Sequence, residues 1–341
     1  MGAHQVPSTP HQVPSTKYQV PSTKHQAPST KMATIGIIGM GWVGASVAIS
    51  ILHRGVADRL LLNDLSLDLA EGEAMDLAHG AAFYPPAVLD TASIEDMRDA
   101  DVVVIAAGRG GKPGQSRLDL LRGNAAVIES IGRRLAGSRG LLIVVTNPVD
   151  VLTWQLTKTS GLPPGRVIGT GTMLETARLR QILGRELNVD PRSVHAQVIG
   201  EHGDTNVVLW SGARIGGKRL RDWPGWSTDK EAAIREEVRA AAYEIIKRKG
   251  ATNHAIGLVT ANLIRWCLAG SRRVVTVSAV QEGPYGLSNI ALSLPSLVGR
   301  AGVTGVIDVE LDEDEARALE HSAEVLSTAI GTIESGAGQT H

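Results

Sequence analysis

"IGIIGMGWVGASVAISIL", residues 35–52, decides how the rest of the chain is read. A short apolar run rich in isoleucine meets Gly39-x-Gly41-x-x-Gly44 and passes straight into a helical stretch, so the glycines mark a strand-to-helix turn. Glycines there let the backbone approach a pyrophosphate, and the opening helix offers N–H donors and the positive end of its dipole. A lone GxGxxG is a weak signal in a chain with 38 glycines, and without a ligand it is only a tight turn. Its setting strengthens it. Asp64 ends the apolar run "RLLLND" (59–64), 20 residues beyond Gly44. A carboxylate at that strand end accepts hydrogen bonds from adenosine ribose hydroxyls and repels a 2′-phosphate, so NAD is expected rather than NADP.

Working outward, strands are expected at 34–39, 59–64, 101–107, 141–146 and 167–171, with helices between them, for example at 43–53 and 116–136. Continuous apolar strands separated by helices predict a parallel sheet covered on both faces. From about residue 172 the character changes. A long helical stretch (228–250) accompanies segments of antiparallel type, "SVHAQVIG" (193–200) and "RRVVTVSAV" (272–280). The expected class is α/β, a doubly wound parallel Rossmann sheet over 32–172 with an α+β substrate domain over 173–335. Residues 4–31 repeat "HQVPSTP", "HQVPSTK", "YQVPSTK", "HQAPSTK". A proline in every unit excludes a coiled coil, so residues 1–31 are expected to be a solvated, disordered tail.

Composition narrows the function. The net charge is −1 from 34 basic and 35 acidic residues, without basic blocks interleaved with aromatics, which argues against a nucleic-acid partner. One cysteine, Cys267, precludes an intrachain disulfide and a cysteine-based zinc site, and fits a reducing compartment. No apolar run reaches membrane-spanning length and no signal core opens the chain. The expectation is a cytoplasmic protein with no metal and no membrane contact.

Four stretches carry polar groups that a core does not need. "VVTNPVD" (144–150) ends a strand with Asn147, at the carboxyl edge where parallel sheets bind ligands. "GTGTMLETARLR" (169–180) opens a helix bearing Glu175 and Arg178, whose i,i+3 spacing puts them on one face. "IGEHGDTN" (199–206) carries His202 at a strand end, and Arg117 follows the glycine-rich loop "AAGRGGKPGQSRLDL" (106–120). Taken singly, these are an ordinary helix pair, a loop histidine and a surface arginine. Together with an NAD site they supply what reduction of a 2-oxo acid requires. The chemistry needs a proton donor that titrates near neutrality, a carboxylate to orient it, a guanidinium to grip the substrate carboxylate, and a second cation to polarise the carbonyl.

With "GMGWVG", "LLND", "GEAMDLAHG" (72–80), "GQSRLDL", "TNPVD", "VIGTGTMLETARLR", "GEHGD" and "KGATNHAIG" (249–257) in order, the chain resembles the lactate/malate dehydrogenase family over residues 33–335. The resemblance implies that His202 is the proton donor and acceptor with Glu175 as its carboxylate partner, that Arg117 is the lid arginine polarising the carbonyl, and that Arg178 grips the substrate carboxylate. By the same resemblance Asn147 contacts both cofactor and substrate, Thr252 and Ile256 line the pocket near the nicotinamide, and Asp64 holds the adenosine ribose. Gly39, Gly41, Gly44, Gly108, Asn124, Ser130, Val145 and Thr170 match positions near the cofactor. It further implies L stereochemistry and a homodimer or homotetramer.

Two residues depart from the family pattern. The histidine's partner in the family is an aspartate, and here it is Glu175. A misplacement of about 1 Å can cost on the order of a hundredfold in rate, which leaves a tolerated change, an altered substrate geometry or an impaired NAD-binding protein as alternatives. The position that reads the substrate, six residues before Arg117, is Gly111. Malate dehydrogenases carry arginine there and lactate dehydrogenases commonly glutamine. A glycine favours 2-oxo monocarboxylic acids, unless Arg109 turns inward and reads a dicarboxylate as a malate dehydrogenase would. Arg180 and His195 match an effector site of some relatives, but unregulated relatives carry the same pair, so no activation is expected from them.

Overall fold

The computed structural model describes residues 33–110 and 117–337. The repeat region 1–31 and Gly111 lie outside them. Thr34–Ile38 (β1), Arg59–Asn63 (β2), Val88–Thr91 (β3), Val102–Ile105 (β4), Leu141–Val144 (β5) and Val167–Gly169 (β6) form a parallel sheet in the order β3-β2-β1-β4-β5-β6. Every position of β4 and β5 is buried, the signature of strands covered on both faces. The connecting helices are Trp42–His53 (α1), Leu67–His79 (α2), Arg117–Arg134 (α3) and Val149–Ser160 (α4). This is the doubly wound order expected from the sequence, with the ligand edge at the carboxyl ends of β1 and β4 to β6.

Each expected strand stops one to two residues earlier than its apolar run. The residues cut off, among them Gly39, Asp64, Thr146 and Gly171, are those that leave the sheet at its carboxyl edge. Gly39 turns there with φ +97°, and a Cβ on it would lie 2.4 Å from the Ala107 nitrogen. β3 was not expected, because "VLDT" is a half-exposed edge strand with little apolar signal.

The second half begins with Met173–Leu187 (α5). "SVHAQVIG" is not one strand, as the pattern suggested, but two: Val194–His195 (β7) and Val198–Ile199 (β8). Val207–Val208 (β9) pairs antiparallel with β8, whereas Arg214–Ile215 (β10) joins β7 to Lys218–Arg219 (β11). The break falls where the Ala196 carbonyl turns to accept from Arg180 Nε, at 3.0 Å. Helices Thr228–Lys249 (α6) and His254–Ala269 (α7) follow, and α7 lies so close to α1 that a Cβ on Gly257 would sit 2.4 Å from the Ser46 carbonyl oxygen. Arg273–Glu282 (β12), Ser288–Gly299 (β13) and Gly302–Val306 (β14) then extend the main sheet antiparallel, β12 pairing with β6 at Ser278 and Gly169. Among the described residues the sheet therefore has nine strands, and Glu313–Ala337 (α8) packs against β13 and α4.

Candidate active site

The glycine turn leaves an open backbone cradle. α1 starts at Gly41 with no side-chain cap and no acid in its first turn, so its leading N–H groups face outward. A Cβ on Gly41 would meet nothing within 4 Å, whereas one on Gly44 would lie 1.9 Å from the Gly39 oxygen. Gly41 is thus open toward solvent, and Gly44 is required by the turn. Asp64 stands over the cradle: its Oδ2 accepts from the Met40 N–H at 2.7 Å and its Oδ1 from Ser66 N–H at 3.0 Å. An uncapped helix N-terminus beside an open glycine fits a pyrophosphate, and the Asp64 carboxylate at the next strand end fits a ribose.

Asn124 ties the neighbouring loops. Buried on α3, it accepts from the Arg109 N–H at 2.8 Å, and its amide donates to the Asn147 carbonyl at 2.9 Å. Thr146 donates to the Ala107 carbonyl at 2.8 Å, and a Cβ on Gly108 would strike its methyl. Val145 and Thr170 are buried where β5 and β6 end, and Asn147 precedes a cis proline, Pro148. Gly108, Asn124, Val145, Asn147 and Thr170 are thereby gathered at one edge. Ser130 is exposed on α3 and has no hydrogen bond to this group. Arg117 opens α3, but its side chain, like Gly111, lies outside the described residues.

The second cluster is built on α5. Thr172 donates to the Val198 carbonyl at 2.5 Å, and the Val198 N–H donates to Thr176 Oγ1 at 3.0 Å. These bonds pin the first turn of α5 to β8, whose carboxyl end runs into the His202 loop. They fix the separation of the two groups that matter: His202 Nδ1 lies 3.0 Å from Glu175 Oε2. The other oxygen, Oε1, accepts from Arg178 Nη1 at 3.2 Å. Glu175 is only 4 % exposed, so its charge is held between two cationic partners. The longer side chain does not break the expected contact with the histidine. It spans two partners at once.

The loop is fixed from three further directions. Gly200 exchanges both backbone hydrogen bonds with Ser293 of β13, at 2.8 and 3.0 Å. The Glu201 N–H donates to Ser322 Oγ of α8 at 2.7 Å, and the His202 N–H donates to Asp150 Oδ2 of α4 at 2.7 Å. Asp150 has no role assigned to it by sequence. Its remaining oxygen, Oδ1, and the Ser278 hydroxyl are buried close together, neither in a hydrogen bond of good geometry among the described residues. Its place in a first helical turn reads as an ordinary dipole partner, and only its burial under His202 marks it out.

Charge follows from this geometry. Burial works against protonating His202, but the Glu175 carboxylate, by charge and hydrogen bond, and then Asp150, carry its pKa up to about 9. Burial also opposes the Glu175 charge, yet His202 and Arg178 hold its carboxyl below the usual range. Burial pushes Asp150 up to about 6, only partly offset by the Ser278 hydroxyl and the His202 N–H. Thr252, half-buried between α6 and α7, and Ile256, buried in the first turn of α7, are in the connection that follows α6. No cluster of histidine, cysteine or acidic residues among the described residues could hold a metal ion.

Glu175 thus joins the His202 imidazole to the Arg178 guanidinium on α5, and an open glycine turn stands at the start of α1. Residues 33–169 match the lactate/malate dehydrogenase NAD binding domain, and residues 172–336 match the lactate/malate dehydrogenase alpha/beta C-terminal domain. The chain belongs to the lactate/malate dehydrogenase family. It is 44 % identical over 301 residues to an L-lactate dehydrogenase of Bacillus caldolyticus, covering 86 % of this chain and 95 % of that one. Against an L-lactate dehydrogenase of Kosmotoga olearia the identity is 42 % over 309 residues, 88 % of this chain and 96 % of the relative. Among solved structures, the minor L-lactate dehydrogenase of Enterococcus mundtii in a ligand-bound form superposes with a TM-score of 0.86 at 38 % identity. That match covers 89 % of this chain and 98 % of the other. The family membership accounts for an NAD binding domain and an alpha/beta C-terminal domain in one chain.

Proposed function

We propose that the protein is an NAD-dependent L-2-hydroxy acid dehydrogenase of the lactate dehydrogenase type, acting reversibly between a 2-oxo monocarboxylic acid and the L-2-hydroxy acid. The observation that carries this is the Glu175–His202 contact at 3.0 Å with Arg178 on the same carboxylate. Residues 32–172 hold the cofactor and 173–335 the substrate. NAD(H), when bound, supplies or accepts the hydride at C2. The Gly39–Gly44 turn and the α1 N-terminus hold its pyrophosphate, and Asp64 its adenosine ribose.

The side chains do the rest. With Nδ1 committed to Glu175, His202 presents Nε2 to the substrate oxygen, giving it a proton in reduction and removing one in oxidation. Arg178 grips the substrate carboxylate through its planar fork. Arg117, which opens α3, polarises the carbonyl as negative charge develops on oxygen. Asn147 and Thr252 bound the pocket. Gly111 provides no cation for a second carboxylate, so monocarboxylates are preferred. A malate dehydrogenase reading rests on Arg109 alone, whose backbone Asn124 holds at the edge of this loop. The impaired-enzyme reading loses its ground, because Glu175 reaches His202 at ordinary hydrogen-bond length.

Exposed Trp42, Leu65, Leu67, Met75 and Phe83 lie on or beside α1 and α2, which supports a homodimer or homotetramer. A single buried cysteine and the absence, among the described residues, of a helix able to cross a membrane support a cytoplasmic site. The test is a kcat/KM comparison of pyruvate, 2-oxoisocaproate, phenylpyruvate and oxaloacetate with NADH, with NADPH as control. A monocarboxylate should lead. Oxaloacetate in first place would overturn the Gly111 argument in favour of Arg109.

A further inference from the structure

Relative to an aspartate at the same position, Glu175 has one methylene more, and the structure shows where the extra reach goes. One oxygen serves His202 Nδ1 and the other takes Arg178 Nη1 at 3.2 Å, with both side chains largely withdrawn from solvent. A bidentate grip on a substrate carboxylate needs two parallel N–H groups of the guanidinium. One terminal nitrogen of Arg178 is engaged by an anion of the same kind as the one it is to receive. No other hydrogen bond or ion pair holds the Arg178 guanidinium among the described residues.

We infer that Glu175 is an internal competitor for Arg178, a specificity-determining residue that sets how tightly the site holds a carboxylate, in addition to orienting His202. This rests on the proposed dehydrogenase reading. An arriving carboxylate displaces Oε1 from Nη1 or shares the nitrogen with it. The freed Glu175 then leans wholly on His202, so carboxylate binding and imidazole protonation favour each other, and by linkage the coupling runs in both directions. The charged groups facing the His202 ring are Glu175 and Arg178 from α5 and Asp150 from α4. In its own loop, the Glu201 carboxylate is turned away onto the Thr205 N–H at 3.1 Å. A carboxylic ligand therefore meets a guanidinium whose Nη1 it must share with Glu175 or take from it, which weakens 2-oxo acid binding and leaves NADH binding alone.

The experiment titrates oxamate, a non-reducible carboxylate, into the full-length enzyme saturated with NADH, comparing wild type with Glu175→Asp. The shorter side chain gives up Arg178 before it gives up His202. Oxamate should then bind roughly fivefold tighter, the scale of one modest ion pair, with KM for the 2-oxo acid falling by a similar factor. NADH affinity should stay as in wild type, while kcat, which depends on how residue 175 orients His202, is read separately. A purely structural role would instead weaken oxamate binding and raise KM. Should Glu175→Asp fail to fold, Glu175→Gln at pH 5.5 tests the same point by removing the charge while keeping the length, and tighter oxamate binding is again expected. Unchanged or weaker oxamate binding in a folded variant overturns the competition. Wild-type turnover of 2-oxo acids is scored separately: its absence would sink the dehydrogenase reading, while the variant-to-wild-type ratio in oxamate affinity still reports on Arg178.

Discussion

His202 holds its proton through neutral pH because two carboxylates face it. With its pKa raised to about 9 from 6.5, its contribution to stability is fully present below 6.5 and is lost as pH rises through about 9. Reduction needs the imidazolium, so kcat/KM for a 2-oxo acid should fall through that range while oxidation of the hydroxy acid rises. Glu175→Gln should move both limbs down by about one pH unit or more, as pH–rate profiles in both directions would reveal. Asp150 works with the opposite sign. As an acid raised to about 6, it binds more protons folded than unfolded, so its burial destabilises the fold above that pH and the cost is relieved as pH falls through it. Asp150→Asn keeps an acceptor for the His202 N–H and adds a donor for the Ser278 hydroxyl. Its melting temperature should exceed that of wild type at pH 7.5, with the gap closing below pH 6; a variant less stable at pH 7.5 would count against this account. Residue type and spacing make His202, Glu175 and Arg178 legible in the amino-acid sequence. Asp150 is not legible there, because an acid in a first helical turn looks the same in sequence whether it faces water or is buried against the His202 backbone.

The elements place these side chains by close backbone approach. Gly44→Ala would put a methyl 1.9 Å from the Gly39 oxygen, so the turn itself must shift. NADH affinity, read by fluorescence titration, should fall on the order of tenfold or more, whereas Gly41→Ala meets no protein atom and should leave the fold intact while crowding only the bound dinucleotide. The parallel strands are readable because a two-sided cover forces continuous apolar runs. Their last residues read as strand although they are not, since an apolar run does not announce where the backbone leaves the sheet. β3 lies at the edge, where burial is partial and the pattern fades. The split of 193–200 between two small sheets depends on Arg180 drawing the Ala196 carbonyl aside, a contact between residues 16 apart that no local pattern encodes.

At the scale of the molecule, the two functional halves are not separate bodies. One hydrophobic cluster joins Ile105 and Val144 to Leu292 and Leu319, and another joins Ile37 and Val104 to Ile264 and Val277. Calorimetry should accordingly show one unfolding transition for residues 32–341, and two resolved transitions would contradict a shared core. Deleting residues 2–31 should leave kcat and KM unchanged if the proline-rich repeats stand apart from catalysis. The pairing of β6 with β12 carries a practical consequence. Each strand is the cover for the other's open edge, so a fragment ending near Gly171 and its complement would both expose unpaired N–H and C=O groups and tend to aggregate. Chimeras that exchange the C-terminal half between relatives must therefore match this seam before they match the pocket.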